Sequence, residues 1–166
     1  MANSSNLDRA LVDVLGADPI LAALMPDGIF FDVGSHGARA FVIVGVLSSR
    51  DEHMFNGRAY EDPEYLVKAV HMDTTADNAD AAAARIDAVL EAAPPLTING
   101  YSYMTLRRIE RIAYTEVDDV DQSIRWQHRG GRYEFAACEG GSVSPVPDSW
   151  VQQTTWIQPD WFQTYE

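Results

Sequence analysis

The regular apolar patterning of this 166-residue chain stops at Cys138, and this boundary constrains the fold more than any other feature. Residues 139–166 hold three of the four tryptophans among Gly, Ser, Pro, Gln and Thr, with neither helical nor strand periodicity. Disordered tails are usually poor in aromatic residues. Ordering a backbone costs about 1–2 kcal/mol per residue, so buried tryptophans also need backbone partners. We predict a domain at 1–138 and an extended Trp-rich C-terminal arm at 139–166 that docks on a neighbouring subunit.

Composition excludes several classes of protein. The formal net charge of −13 argues against a protein that grips nucleic acid, because neutralising phosphates requires clustered Lys and Arg. A negative surface does suit a channel through which DNA slides. The single cysteine, Cys138, excludes an intramolecular disulfide framework and a multi-cysteine metal site. The N-terminus shows no signal-peptide pattern, and the longest apolar run, 41–47, is too short to span a bilayer. We expect no membrane contact and assembly in a cytoplasm.

Helical periodicity marks two main helices. Apolar residues at 7, 11, 14 and 15 form one stripe, capped by Ser4 or Ser5 and ended by Gly16. Asp18-Pro19 then begins a short helix, with aspartate as N-cap and proline in the first turn. The second main helix follows Asn78, its predicted N-cap, and ends before two prolines at 94–95.

Strands are predicted at 29–32, 41–47, 64–72 and 101–112, the last with a bulge near Arg107-Arg108. Residues 49–63 are polar and predict a long exposed loop. Residues 122–138 allow two interpretations. Either Gly130-Gly131 is a hairpin turn that sets Trp126 opposite Phe135 and His128 opposite Tyr133, or the segment is one strand with a glycine kink. The order of elements predicts an α+β domain with a mostly antiparallel sheet of four to five strands, two main helices on one face, and the arm.

No pattern in the sequence supports an enzyme, a cofactor or a metal site. The histidines lack ligand spacing, and His71-x-Asp73 fits a strand end followed by a capping acid better than a catalytic pair. The acidic turn at 118–121 lacks the glycine and the distal glutamate of a calcium loop. We therefore expect that the chain is not an enzyme and that it binds no cofactor.

Charged and aromatic residues instead indicate interfaces. Six of the twelve basic residues lie between Arg107 and Arg132, interleaved with acids, a mixture that fits a charge-complementary subunit contact. The polar segment 49–63 is the first candidate for contact with other subunits. The predicted interface residues are Arg50, Asp51, Glu52, Phe55, Arg125, Arg129, Arg132, Trp150, Trp156, Trp161, Phe162 and Tyr165.

The order of these elements resembles phage tail-terminator (tail-completion, tail-to-head joining) proteins. The opening ALVDVLGADPILAAL at 10–24 carries the resemblance, together with the strand at 28–32, the apolar strand at 41–48 and the alanine-rich helix at 79–93. The closing HRGGRYEF at 128–135 also matches, and it favours the single-strand interpretation of 122–138. The arm extends beyond the usual domain of this family.

The resemblance implies a structural virion protein. Such a protein forms a ring, usually a hexamer, that caps the tail tube at full length and offers a surface to the head connector or stopper protein. Its partners would be further copies of itself, the tail tube protein, the connector, and DNA passing through the lumen without specific binding. Its place would be the head–tail junction of the virion.

Two alternatives stay open. The chain could be another neck ring component, such as a head-closure or adaptor protein. It could instead be a small acidic cytosolic enzyme or ligand-binding domain, for which His71, Asp73 and the acidic turn are the best support.

Overall fold

The computed structural model describes residues 3–54, 57–92 and 96–140, and these form three helices and six strands. The predicted arm lies outside the described residues from position 141 onward. The helices are α1 (Ser5–Gly16), α2 (Pro19–Leu24) and α3 (Asp77–Glu91). The strands are β1 (Ile29–Phe31), β2 (Ala40–Met54), β3 (Gly57–Met72), β4 (Thr97–Ile98), β5 (Tyr101–Val117) and β6 (Arg125–Glu139).

The strands form one sheet in the order β1-β2-β3-β6-β5-β4. All neighbouring strands are antiparallel except β1 and β2, which are parallel. The α+β prediction is therefore confirmed, but the described sheet is mixed and has six strands, not four to five. Strand β4 was missed because its two residues are too short to show an alternation.

The core lies between the helices and one face of the sheet. Each main helix buries one stripe of side chains, as its periodicity predicts. From α1 these are Leu7, Leu11 and Leu15, and from α3 they are Ala79, Ala82, Ile86 and Leu90. The sheet supplies Val42, Val44, Tyr65, Val67, Ala69, Tyr133, Phe135 and Ala137 to the same cluster. The alanines of α3 let this helix approach the sheet closely.

The predicted helix caps had different outcomes. Asp18 caps α2, as expected, and accepts hydrogen bonds from the Leu21 amide at 2.7 Å and from Nε of Arg85 at 2.9 Å. Hydrogen bonds from Arg85 hold the pKa of Asp18 at about 2. Asn78 is not a cap, because α3 already begins at Asp77. Acidic side chains in the first turn instead complement the helix dipole.

The prediction of a long loop at 49–63 is wrong. Strands β2 and β3 continue through this segment and pair from Ser49 with Pro63 to Met54 with Gly57, with register shifts on the way. Exposed side chains flank both sides of β2 here, so no buried face produces an alternating pattern. Backbone pairing with β3 therefore defines this half of β2.

The hairpin interpretation of Gly130-Gly131 is also wrong, because β6 is one strand. Both glycines lie between two neighbouring strands, in register with β3 and with β5. A Cβ at Gly130 would lie 2.2 Å from the Val67 carbonyl oxygen, and one at Gly131 would lie 2.6 Å from that of Glu110. The glycines thus permit close strand approach in place of a turn. The bulge near Arg107-Arg108 is confirmed by the register shift between Arg108 and Glu110.

Candidate assembly surfaces

The two faces of the sheet differ in what covers them. The helices pack on one side, which we call the covered face. The opposite side, the open face, carries charged and aromatic side chains in the described residues. A typical row across it comprises Phe41, Val70, His128 and Tyr114, which are register partners on four strands.

Ion pairs between neighbouring strands occupy the middle of the open face. Arg107 binds Glu134 across the β5–β6 ladder through its Nε, 2.6 Å from Oε2. Arg132 bridges Glu64 on β3 and Glu110 on β5, with 2.7 Å to Glu110. These pairs are exposed or half-buried, so each contributes little to stability. These two arginines and three glutamates give this surface mixed charge.

Arg50 borders a polar cavity of about 170 Å³ on the same face. Its lining consists of Ser48, Arg50, Asp62, Glu64, Ile109 and Glu134. Burial, followed by the proximity of Glu134, raises the pKa of Asp62. One carboxylate oxygen of Asp62 is buried without a hydrogen-bond partner among the described residues. Arg50 therefore lies on the open face.

One end of the open face is aromatic. The rings of Phe41 and Trp126 lie 6.5 Å apart, and His128 stacks on Tyr114 at 4.4 Å. Lys68 donates a hydrogen bond to the Tyr114 hydroxyl at 2.8 Å. Burial lowers the pKa of His128 to about 4, although its Nε2 lies 3.3 Å from a carboxylate oxygen of Glu116. His128 is therefore neutral at pH 7.

A buried polar network fastens the opposite end of the sheet to α1. Glu61 is only 3% exposed and accepts hydrogen bonds from Ser4, Ser49, Arg58 and Tyr101 at 2.6–3.1 Å. Tyr65 donates a 2.6 Å hydrogen bond to Asp8 on the same helix, and burial raises the pKa of Asp8. The sequence interpretation missed Glu61 because it lay in the supposed loop.

The predicted interface residues do not form one surface. Asp51 pairs with Arg58 at 3.3 Å, and Glu52 beside it is half-buried. Arg125 is exposed at the start of β6, whereas Arg132 lies on the open face.

Arg129 lies on the covered face. Its Nε is 3.2 Å from Asp80 of α3, and its Nη1 donates to the carbonyl oxygen of Tyr114. Arg129 therefore anchors a helix within its own domain. The remaining predicted interface residues lie outside the described residues: Phe55, Trp150, Trp156, Trp161, Phe162 and Tyr165.

The acids considered for a catalytic pair and for a calcium loop stabilise turns by hydrogen bonds. Asp73 accepts a 2.6 Å hydrogen bond from the Thr74 amide, and its other oxygen lies 3.8 Å from His71. Asp118 and Asp121 each accept hydrogen bonds from amides within their own turn. The amide hydrogen bonds lower the pKa of Asp73 and of Asp118, whereas the Ser123 hydroxyl, followed by the Ser123 amide, lowers the pKa of Asp121. Within the ranges that the structure describes, no three His, Cys, Asp or Glu side chains are grouped to hold a metal ion.

An apolar cleft of about 460 Å³ opens between α1, α2 and β1. Val12, Leu15, Leu21, Met25 and Ile29 line it, with Asp13 as its one charged residue. Among the described helices, none is long and apolar enough to cross a bilayer.

Comparison with known proteins relates the fold to a virus-like particle. No protein-family model matches the chain, and no curated protein matches it either. Among solved structures, a chain from the virion of a native gene transfer agent particle is similar, with a TM-score of 0.64 at 22% identity. The match covers 82% of this chain and 97% of that chain. A second solved chain, 11% identical, matches with a TM-score of 0.50 over 80% of this chain and 95% of its own. The fold is therefore shared with a chain of a gene transfer agent virion.

Proposed function

We propose that this chain is a structural virion protein, the tail terminator that forms a ring on the tail tube, stops its growth and joins the tail to the head connector. The observation that carries the proposal is the fold shared with a chain of a gene transfer agent virion over nearly all of that chain. The order of elements, which resembles tail terminators along 7–138, supports the specific role.

The surfaces of the domain suit assembly. A ring subunit needs two different side surfaces for its neighbours and two end faces for other components. The described sheet leaves one broad face uncovered by helices, and that face carries ion pairs and aromatic side chains. Asp73, Asp118 and Asp121 accept hydrogen bonds within turns, which gives these acids a structural role.

Assembly on tubes tests this function. The purified chain should cap tubes polymerised from the tail tube protein of the same particle, so that added tube subunits no longer lengthen them. Negative-stain images should show a ring at one tube end. Tubes that keep growing at both ends in the presence of excess chain would contradict the terminator role.

The position of the chain in a finished particle separates the terminator from another neck ring. A tail terminator contacts the tube, whereas a head-closure or adaptor protein stays with the capsid when tails are absent. Immunogold labelling of tailless heads should therefore fail. Labelled heads would identify the chain as a head-side component.

A ligand-binding domain is the second candidate, and the apolar cleft favours it. Its volume of about 460 Å³ lies in the range of small-molecule sites, and its walls are mostly aliphatic. Binding of a small apolar probe that is lost when Ala22, an exposed residue of the cleft wall, is replaced by Asp would support this role. If the same variant still caps tubes, ligand binding in the cleft and ring formation are separate functions.

A further inference from the structure

Two long strand edges of the described sheet lack a neighbour. Strand β4 pairs only with Tyr101 and Ser102 of β5, which leaves 103–117 open on its outer side. Strand β1 pairs only with Val42–Val44 of β2, which leaves 46–54 open on the other side of the sheet. We call these segments the β5 edge and the β2 edge. An unpaired edge presents N–H and C=O groups that template pairing with another chain.

Exposed apolar side chains mark both edges. Leu47 on the β2 edge is 50% exposed, and Met104 and Ile109 on the β5 edge are 52% and 47% exposed. Each of the three lies at a register shift, where one strand has an extra residue. Natural proteins cover or charge such edges. The β5 edge holds three arginines and two glutamates, and the β2 edge holds one arginine and two acids, so their net charges have opposite sign.

Strand directions allow the two edges to meet. The four long strands follow one another in the order β2-β3-β6-β5, each antiparallel to the next. Strand β5 therefore runs opposite to β2. If a second copy stands beside the first in the same orientation, its β2 lies antiparallel to the first copy's β5. The alternation then continues across the junction, and an antiparallel ladder can form between the segments that β1 and β4 leave open.

We propose that copies of this chain join edge to edge, the β2 edge of one pairing with the β5 edge of the next. Because the two edges differ, the contact is head-to-tail, and repeating it closes a ring when the rotation from one copy to the next divides a full turn. This inference rests on the proposed ring and names its subunit interface. The helices make each copy wider on the covered side than on the open side. A closed ring of such copies therefore places the open face toward the lumen. Its paired charges, such as Arg132 with Glu64 and Glu110, leave no basic excess to hold DNA there.

Two edge variants of the full chain test the interface. Leu47→Lys breaks the β2 edge, and Ile109→Lys breaks the β5 edge, since lysine on an edge strand opposes pairing. Each variant alone should sediment as a monomer. An equimolar mixture should form dimers and no rings, because one intact β5 edge meets one intact β2 edge and growth then stops.

The matched control is Ile20→Lys on α2, where the replaced residue is 52% exposed. This variant should form rings as the unmodified chain does. Circular dichroism and thermal melting should show that all variants fold. In the unmodified chain, amide hydrogen exchange at 46–54 and 103–117 should slow on ring formation.

The outcomes separate the interface from the ring itself. Rings formed by either edge variant, a mixture that stays monomeric, or edge amides that exchange equally fast in monomer and ring would overturn the edge-to-edge contact while leaving the ring intact. An unmodified chain that stays monomeric at high concentration, alone and with tubes, would overturn the proposed ring.

Discussion

The covered and open faces of the same sheet are built from different kinds of residue. The covered face buries Val67, Tyr133 and Phe135 against helices, so it holds most of the hydrophobic stabilisation. The open face buries the rings of Phe41 and His128 but otherwise carries the exposed Tyr114 ring and exposed or half-buried ion pairs, and such ion pairs stabilise a monomer weakly. We infer that the covered face stabilises the fold, whereas the open face and the two edges are free to make contacts between molecules.

The largest expected effect is a loss of folding stability, and it is tested by replacing one aromatic residue on each face. Phe135 is fully buried and contacts the rings of Tyr65 and Tyr103. Phe135→Ala should lower the free energy of unfolding by about 3–5 kcal/mol, because a large buried side chain leaves a cavity. Tyr114→Ala on the open face should cost about 1 kcal/mol, the stacking on His128. Urea unfolding measures both, and equal losses would break the distinction between the faces.

The polar network at Glu61 is the next test, because it stabilises the covered side without apolar burial. Glu61→Ala leaves Arg58 and Tyr101 without their shared acceptor and should cost about 2–3 kcal/mol. Asp51→Ala, the control, removes one partly exposed ion pair with Arg58 and should cost less than about 1 kcal/mol. If the two variants have the same melting temperature, Glu61 does not fasten the sheet to α1.

The pH dependence of stability tests the burial of His128 on the open face. Its pKa of about 4 lies below the ordinary value, so the unfolded chain takes up this proton first as the pH falls. The neutral histidine thus favours the fold above pH about 6.5, and up to about 3 kcal/mol is lost as the pH falls to about 4. His128→Phe keeps an aromatic ring on Tyr114 and removes this titration. Unfolding at pH 7 and pH 4.5 should show a smaller loss in the variant, and an identical loss would mean that His128 is solvated.

The smallest expected effect on stability comes from the arm. Truncation after Gly141 should leave the melting temperature of the domain almost unchanged, because the described core lies wholly before that residue. The same truncation should weaken ring assembly, since we predict that the tryptophans dock on a neighbour. Sedimentation and melting measure the two effects separately. A truncated chain with a much lower melting temperature would show that the arm packs on its own domain and not on a neighbour.

Local patterns predicted the helices and the apolar strands well. The stripe at Leu7, Leu11 and Leu15 and the Asp18-Pro19 start of α2 depend on neighbours in sequence, so periodicity and capping rules find them. The extended halves of β2 and β3 were missed for the opposite reason. The side chains of this half of β2 are mostly exposed, and the buried Glu61 of β3 is charged, so neither half shows apolar alternation although the two strands pair with each other.

The surfaces could not be predicted from local pattern. Arg129 and Arg132 are three residues apart, yet one binds helix α3 and the other bridges two strands on the open face. In the continuous strand β6 the two arginines lie on opposite faces, because side chains alternate between the faces of a sheet.

The sequence by itself determined the amphipathic helices, the buried strand centres and the acidic charge, because each depends on composition or on residues within a few positions. Only the tertiary structure decided which face stays open, why Gly130 and Gly131 must be small, and which strand edges remain unpaired. These depend on contacts between segments far apart in the chain. Such contacts leave no periodic trace in a single sequence.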